Sequence, residues 1–187
     1  MKALKQIYEE VVNSNYKITK SSSESFKGGQ RYFYFFKTES GLSYRISLII
    51  IPKEYISKFI IGKYYPKAAK FITDKMNKGE SIATITFAAQ INKKWMDKTQ
   101  TNVGPKVYLK ILGTCANIGK KTLQQSPKIV AMYFSGAFKD DEENSRTSNT
   151  SQRTIIVNNL IKQILPSGWK AKQFANLILI YKPNNKK

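Results

Sequence analysis

The stretch "SIATITFAA", residues 81–89, decides the fold, because it predicts a strand at the centre of a sheet. It is rich in β-branched residues and apolar on both faces, as expected of a strand that is covered on each side. "KIVAMYFSG", residues 128–136, predicts a second buried strand. Between them a polar loop over 90–102 leads to an amphipathic helix from about 105 to 125. The pattern therefore predicts two strands joined by a helical crossover.

The flanking segments extend this unit in both directions. Downstream, we predict a long polar loop (137–150), a second helix (about 151–165), one long or two short strands (169–183) and a basic tail (184–187). Upstream, we predict an N-terminal helix within 1–20, a flexible break at 21–30, a hairpin of runs 31–39 and 42–50, and two short helical pieces between 52 and 79. The chain is expected to form one α/β (α+β) domain over 1–187, in which 31–183 build a mixed sheet with helices on its faces.

Charge is the strongest compositional signal. The 187 residues include 32 basic and 12 acidic side chains, for a formal net charge of +20. A nucleic acid or another polyanion is the partner that such an excess favours. No apolar run is long enough to span a membrane, and the N-terminus alternates charged with apolar residues, so we expect neither a membrane span nor a secretory signal.

The type of basic residue bears on the kind of contact. Arginine is scarce, with four residues (Arg31, Arg45, Arg146 and Arg153), and the other basic residues are lysines. Lysine neutralises phosphate as a point charge, whereas arginine supplies the bidentate fork that reads guanine. We therefore expect a salt-sensitive contact with the phosphate backbone and no sequence-specific readout.

The chain also lacks residues that several classes of site require. It has no histidine, which excludes histidine-dependent triads and nucleases. The densest acidic group, "DDEEN" at 140–144, lies in a polar stretch and is interpreted as a solvated loop, with no metal expected there. The single cysteine, Cys115, lies on the apolar side of the helix predicted over 105–125 and is expected to pack in the core. No catalytic residue is predicted.

The succession strand, helix, strand, helix, strand from residue 80 onward is similar to the second half of an acetyltransferase of the GNAT superfamily. In that family the loop before the first of these helices carries Gln/Arg-x-x-Gly-x-Gly/Ala, which binds the pyrophosphate of acetyl-CoA. The resemblance implies a cofactor contact at Val103 and Gly104, but Thr101 and Lys106 depart from the motif. Pro105 also removes one N–H donor. Glycine followed by proline equally suits a helix start, and this second interpretation is favoured.

A longer stretch, residues 84–183, resembles a group of small uncharacterised proteins encoded by tailed phages. The resemblance runs through Phe87, "TNVGPKVYLKIL", "SPKIVAMYFSG" and "SQRTIIVNNLIKQILPSGW". Arg153 would be the helix-start arginine of that group and Gly168-Trp169 its turn, whereas Gln152 and Val157 depart from the pattern. The resemblance implies a phage origin and a GNAT-like fold without established catalysis.

The aromatic run "KGGQRYFYFF", residues 27–36, is similar to the aromatic strand of RNA-recognition modules. The predicted order of elements does not fit that module. Aromatic residues that follow one another occupy both faces of a strand, so we interpret this run as core and edge cover.

Several basic residues are candidates for contact with an anion or a nucleic acid. Lys93, Lys94, Lys98 and Lys106 surround the predicted helix start, where positive charge is unfavourable unless an anion neutralises it. The other candidates are Arg153, Lys170 and Lys172.

Three functions remain open on the sequence. The first is a non-enzymatic phage accessory or virion-associated protein that contacts nucleic acid, in a virion or in the host cytoplasm. The second is an acyltransferase that uses acetyl-CoA. The third is a small inhibitor or modulator that binds a host protein, and the loop 137–150 could then be a partner-binding segment.

Overall fold

An eight-stranded mixed sheet forms the centre of the protein in the computed structural model, which describes residues 15–96, 104–135, 158–159, 161 and 165–183. The strands are β1 (Lys20–Phe26), β2 (Gly29–Lys37), β3 (Ser43–Pro52), β4 (Ser81–Ile91), β5 (Lys94–Met96), β6 (Ile129–Ser135), β7 (Lys170–Phe174) and β8 (Leu177–Tyr181). Their order is β1-β2-β3-β4-β6-β8-β7, and β5 pairs with β4. The described residues thus form a single mixed α+β domain.

Helices cover both faces of the sheet. They are a 3-10 helix (Lys53–Lys58), α1 (Ile60–Tyr64), α2 (Pro66–Thr73) and α3 (Pro105–Gln125), and residues 158, 159 and 161 are also helical. On one face, Ile111 and Cys115 of α3 join a buried cluster with Tyr44, Ile46 and Leu48 of β3. On the other face, the shorter helices bury a second cluster with β4, β6 and β8. The sheet therefore separates two hydrophobic cores.

β4 is the central strand, as its sequence predicts. It pairs antiparallel with β3 and parallel with β6, and Ile82 and Ala83 are fully buried. The pairing with β6 extends from Ser81 to Thr84, whereas β5 pairs with β4 from Ala89 to Ile91. In the described part of the chain, residues 85–88 have no strand partner on the β6 side. The pairing of β4 with β6 therefore ends at Thr84 and Tyr133, although both strands continue.

Several predicted elements are confirmed. α3 begins and ends where the helical pattern does, and β2 and β3 form the hairpin around Ser40-Gly41, where Gly41 has a φ of 80°. The last segment forms two strands, β7 and β8. Cys115 is buried as expected, and burial raises the pKa of its thiol to about 12.

The flexible break predicted at 21–30 is wrong. Residues 20–26 form β1, which pairs antiparallel with β2 along its whole length. The prediction fails because the serines of β1 are exposed at the edge of the sheet, where backbone hydrogen bonds hold a strand without apolar side chains. Lys27-Gly28 makes the turn, and Gly28 takes a φ of 96°, which favours glycine.

The polar loop predicted at 90–102 also contains regular structure. Residues 90–91 continue β4, and Asn92 and Lys93, with φ values of 50° and 64°, make a two-residue turn into β5. Positive φ at both turn positions is the geometry that matches the twist of a hairpin. Lysine is not a typical residue for such a turn, so composition gave no signal for it.

The helical region between 52 and 79 is divided once more than predicted. Pro66 begins α2, but Gly62 lies inside α1 and does not break it. A Cβ at Gly62 would lie 2.4 Å from the Cα of Ser57, so glycine permits the close approach of α1 to the preceding 3-10 helix. Residues 1–14 of the predicted N-terminal helix, the loop 137–150 and the tail 184–187 lie outside the described residues, as does most of the helix predicted at 151–165, of which Ile161 is buried. Residues 15–19 are not helical and Lys20 begins β1, so the helix does not extend to residue 20.

Candidate nucleic-acid interface

Three of the predicted lysines lie at one end of the sheet. Lys93 and Lys94 are exposed on the β4–β5 hairpin, and Lys106 is exposed in the first turn of α3. The ring of Tyr108 contacts that of Phe87 in β4, with 6.1 Å between their centroids, which places the start of α3 near the end of β4. No acidic residue lies in the first turn of α3. Positive charge is thus concentrated at this end.

The predicted lysines of β7 lie elsewhere. Lys170 pairs in register with Tyr181, which pairs with Ala131. Ala131 pairs with Ile82, at the beginning of β4. Ile91 is nine residues further along β4, so Lys170 and the β4–β5 hairpin are about 30 Å apart along the strand direction. The structure therefore does not bring Lys170 and Lys172 into the first group.

Lys172 belongs to a separate cluster of cations and aromatic rings. Its ammonium lies 4.3 Å from the ring centroid of Phe71 and 5.2 Å from that of Phe174. Lys75 lies 5.0 Å from the ring centroid of Phe71 as well. These contacts link α2 to β7 and give Lys172 a structural partner. Lys98, Arg153 and Val103, the other candidates, lie outside the described residues.

Gly104 begins α3 as its N-cap. Its φ is −54°, and its carbonyl oxygen accepts hydrogen bonds from the backbone N–H groups of Val107 and Tyr108, at 3.0 and 3.2 Å. A Cβ at this position would meet no atom within 4 Å. Neither backbone conformation nor space within the protein therefore requires glycine here. The hydrogen bonds that the Gly104 carbonyl accepts confirm the prediction of a helix start.

An ion pair joins the β2–β3 turn to α3, and the same carboxylate holds Tyr16 of the segment before β1. Glu39 accepts hydrogen bonds from the Lys110 ammonium at 2.6 Å and from the Tyr16 hydroxyl at 2.7 Å. The hydrogen bond from Lys110, and then that from Tyr16, lowers the pKa of Glu39 to about 2. Burial, followed by the hydrogen bond to Glu39, raises the pKa of Tyr16. This cluster neutralises Lys110 and serves the fold.

A second basic surface lies on the face of the sheet opposite α3, and the sequence did not indicate it. We call it the arginine–aromatic face; its residues are Arg31, Phe33 and Phe35 of β2, Arg45 of β3 and Trp95 of β5. Residues two apart in a strand share a face, and Phe35 pairs with Arg45 in register. All five side chains are half-buried.

The rings and guanidinium groups of this face contact one another. Phe33 and Phe35 have centroids 6.4 Å apart, and Phe35 and Trp95 have centroids 5.7 Å apart. The guanidinium carbon of Arg45 lies 4.9 Å from the centroid of Phe33 and 5.0 Å from that of Trp95. The rings therefore form a continuous row with Arg45 stacked among them.

The two arginines differ in their partners. Arg31 forms an ion pair with Glu24 of β1, at 3.0 Å. Arg45 has no ion pair with any described residue, and its Nε is buried without a hydrogen-bond partner. A buried donor without an acceptor is costly. Because no described carboxylate pairs with Arg45, its other N–H groups remain available for a charge-assisted hydrogen bond to an anion.

The interpretation of residues 27–36 as core and edge cover holds for one face of β2. Phe36 is buried, and Tyr32 and Tyr34 pack against the cluster under α3. Phe33 and Phe35 belong to neither hydrophobic cluster. The spacing Arg31-x-Phe33-x-Phe35 is the signal that could have identified this surface, but Trp95 joins it through a hairpin that the sequence does not predict.

Comparisons of the chain with known protein families, curated proteins and solved structures found no match. No helix in the described part of the chain is long and apolar enough to cross a membrane. Among the described residues, no group of three or more cysteine and acidic side chains is placed to hold a metal ion. The basic and aromatic surfaces are thus the chemically distinctive features of the described protein.

Proposed function

We propose that the protein is a non-enzymatic accessory protein that contacts nucleic acid, or a similar polyanion, without sequence specificity. The observation that carries the proposal is the lack of acidic side chains to balance its lysines. Three of the described acidic residues are already engaged in ion pairs with basic partners. The described acidic residues are Glu24, Glu39, Glu54, Asp74 and Glu80.

The distribution of lysine supports a contact with the phosphate backbone. Exposed lysines lie on the β4–β5 hairpin, on the first turn of α3 and on the edge strand β7. Because these positions are spread over the protein, they suit a long flexible or rod-like polyanion better than a small ligand. Contacts between lysine and phosphate do not distinguish one base from another. The affinity should therefore depend on the salt concentration and little on the nucleotide sequence.

The test is affinity for random duplex DNA as a function of salt. If about six phosphates are contacted, the affinity should fall roughly a thousandfold between 50 and 200 mM salt. The triple variant K93Q/K94Q/K106Q and the double variant K170Q/K172Q probe the two separate groups of lysines. Each lysine that contacts a phosphate should reduce the slope of log affinity against log salt by about one. A flat salt dependence in the wild-type protein would contradict the proposal.

A phage setting is part of the same proposal. It is supported by the resemblance of residues 84–183 to small tailed-phage proteins and by the polyanion that a virion or an infected cell offers. Detection of the protein in purified particles would assign it to the virion. Its presence in infected cells but not in particles would assign it to the host cytoplasm.

The end of the β4–β6 pairing at Thr84, while β4 continues to Ile91, favours a second candidate, an acyltransferase that uses acetyl-CoA. The sheet order β1-β2-β3-β4-β6-β8-β7, the parallel pair at its centre and the start of α3 near the end of β4 agree with a GNAT-like arrangement. Parallel strands whose pairing ends next to a helix N-terminus are a common place for a nucleotide cofactor. The order of the elements supports this candidate, while Pro105 and Lys106 count against it.

Calorimetry with acetyl-CoA separates the two candidates. A G104L variant is suited to the test, because a side chain at this position meets open space in the protein itself. Micromolar binding by the wild-type protein that G104L abolishes, with unchanged stability, would support the acyltransferase. The absence of binding to the wild-type protein supports the accessory protein.

A further inference from the structure

We propose that the arginine–aromatic face binds single-stranded nucleic acid, by stacking bases on Phe33, Phe35 and Trp95 and holding a phosphate at Arg45. The inference rests on the proposed function and specifies its substrate class. It adds the three rings and Arg45, which the lysine argument does not use.

The row of rings provides the stacking surface. Three aromatic side chains, two on β2 and one on β5, have ring centroids within 6.4 Å of their neighbours, are half-buried, and belong to neither core. Aromatic side chains on the open face of a sheet stack well on unpaired bases, because every base has a flat apolar face. In a duplex these faces are hidden by base stacking, so this surface favours a single strand.

Arg45 provides the charge. Two of the four arginines of the chain, Arg31 and Arg45, lie on this face, although lysine predominates elsewhere. Arginine stacks on aromatic rings and still directs N–H groups at a phosphate, which lysine does less well. Glu24 forms an ion pair with Arg31, whereas no described carboxylate pairs with Arg45. An ion pair with a phosphate would therefore stabilise Arg45 more than Arg31.

The surroundings of the face suit a polyanion. Lys20 of β1 pairs with Phe35, and Lys37 follows at the end of β2, both exposed. Lys93 and Lys94 lie on the hairpin that carries Trp95. Lysines therefore flank the rings on two sides, where the sugar-phosphate backbone of a stacked strand would run.

Trp95 fluorescence reports the proposed contact directly. The chain has two tryptophans, Trp95 and Trp169, so a W169F variant leaves Trp95 as the sole indole. We expect an oligothymidylate of about 12 nucleotides to quench this fluorescence on binding. At the same salt concentration we expect the oligothymidylate to bind at least tenfold more tightly than a random duplex of equal length.

Substitutions on the face separate stacking from bulk charge. W95A and F35L should each weaken oligothymidylate binding, by roughly five- to a hundredfold, and leave duplex binding unchanged. R45K, which keeps the charge but loses the planar fork, should weaken oligothymidylate binding several-fold. K170Q/K172Q, at the opposite edge of the sheet, is the control and should leave the fluorescence quenching intact. F35L keeps apolar bulk and so tests the inference even if W95A proves unstable.

Three results would overturn the inference, and they are distinguishable. Binding of neither nucleic acid would remove the proposed function as well. Equal binding of both, without quenching and without an effect of W95A or F35L, would leave the proposed function but remove this site. Sedimentation that shows a dimer dissociated by W95A, without quenching by oligothymidylate, would assign the face to a second copy of the chain.

Discussion

Glu39 is a residue whose lowered pKa makes the stability of the protein depend on pH. Its pKa is lowered to about 2 by hydrogen bonds from Lys110 and Tyr16. The folded protein therefore stabilises the ionised form of this carboxyl group more than the unfolded chain does. Between the usual pKa of about 4.5 and the lowered value, the unfolded chain binds more protons. Stability from this group is therefore fully present above about pH 4.5 and is lost as the pH falls towards 2.

We expect the E39Q variant to be less stable than the wild-type protein at neutral pH, and we expect this difference to shrink as the pH falls from about 4.5 to about 2. Thermal unfolding of both proteins across this range is the measurement. E54Q is the control, since Glu54 is exposed and has no ion pair with a described residue. A difference between E39Q and wild type that stayed constant down to pH 2 would show that ionisation of Glu39 contributes nothing to stability.

The β4–β5 hairpin combines an unfavourable turn with a place in the proposed binding face. Lys93 adopts a φ of 64°, which costs a residue with a side chain roughly 1 kcal/mol relative to glycine. The hairpin holds Trp95 against Phe35 and Arg45. The conformation of this turn therefore determines how well Trp95 is positioned in the arginine–aromatic face.

We expect K93G to stabilise the protein, by up to about 1 kcal/mol, because glycine adopts positive φ without steric cost. K94G is the matched variant: it removes the same charge but places glycine in a strand, so it should destabilise the protein by about 0.5–1 kcal/mol. Guanidinium unfolding measures both. If K93G and K94G changed stability alike, the turn geometry described here would be wrong.

For the whole molecule, one sheet shared by two cores predicts a single cooperative unfolding transition. β4 contributes Ile82 to one cluster and Ala83 and Ile85 to the other, so neither core can open without disturbing the same strand. Trp95 lies on β5, whereas Trp169 lies next to the edge strand β7 and packs against the cluster under α3.

We expect the W95F and W169F variants each to show coincident guanidinium transitions by tryptophan fluorescence and by far-ultraviolet circular dichroism. The two variants report on different parts of the sheet, and each serves as the control for the other. A fluorescence midpoint that departed from the dichroism midpoint in either variant would divide the chain into separately unfolding parts.

The parts of the fold that the sequence predicts are those with a strong apolar pattern. β4, α3 and β6 follow from runs of apolar residues at the spacing of a strand or a helix. β1 does not, because its serines are held by backbone hydrogen bonds alone, and β5 does not, because it is three residues long and follows a turn made by asparagine and lysine.

The same limit applies to the candidate interface. Lys93, Lys94 and Lys106 lie at one end of the sheet, as their positions around the helix start suggested. The distance of Lys170 and Lys172 from them follows from strand register, which sequence spacing does not reveal. In the arginine–aromatic face, Trp95 is 50 to 64 positions from the other four residues, and only the pairing of β2, β3, β4 and β5 brings them together.

The sheet order also has a consequence for the time course of folding. β1, β2 and β3 follow one another through short turns. The parallel pairing of β4 with β6, in contrast, joins strands that are separated in sequence by β5 and the whole of α3. Contacts close in sequence form with a smaller loss of chain entropy and therefore sooner. We expect the β1–β3 meander to gain protection first in pulse-labelled hydrogen exchange. Until β6 pairs with β4, the folding intermediate exposes one edge of β4. We expect the protein to be most prone to pair with another chain at this stage.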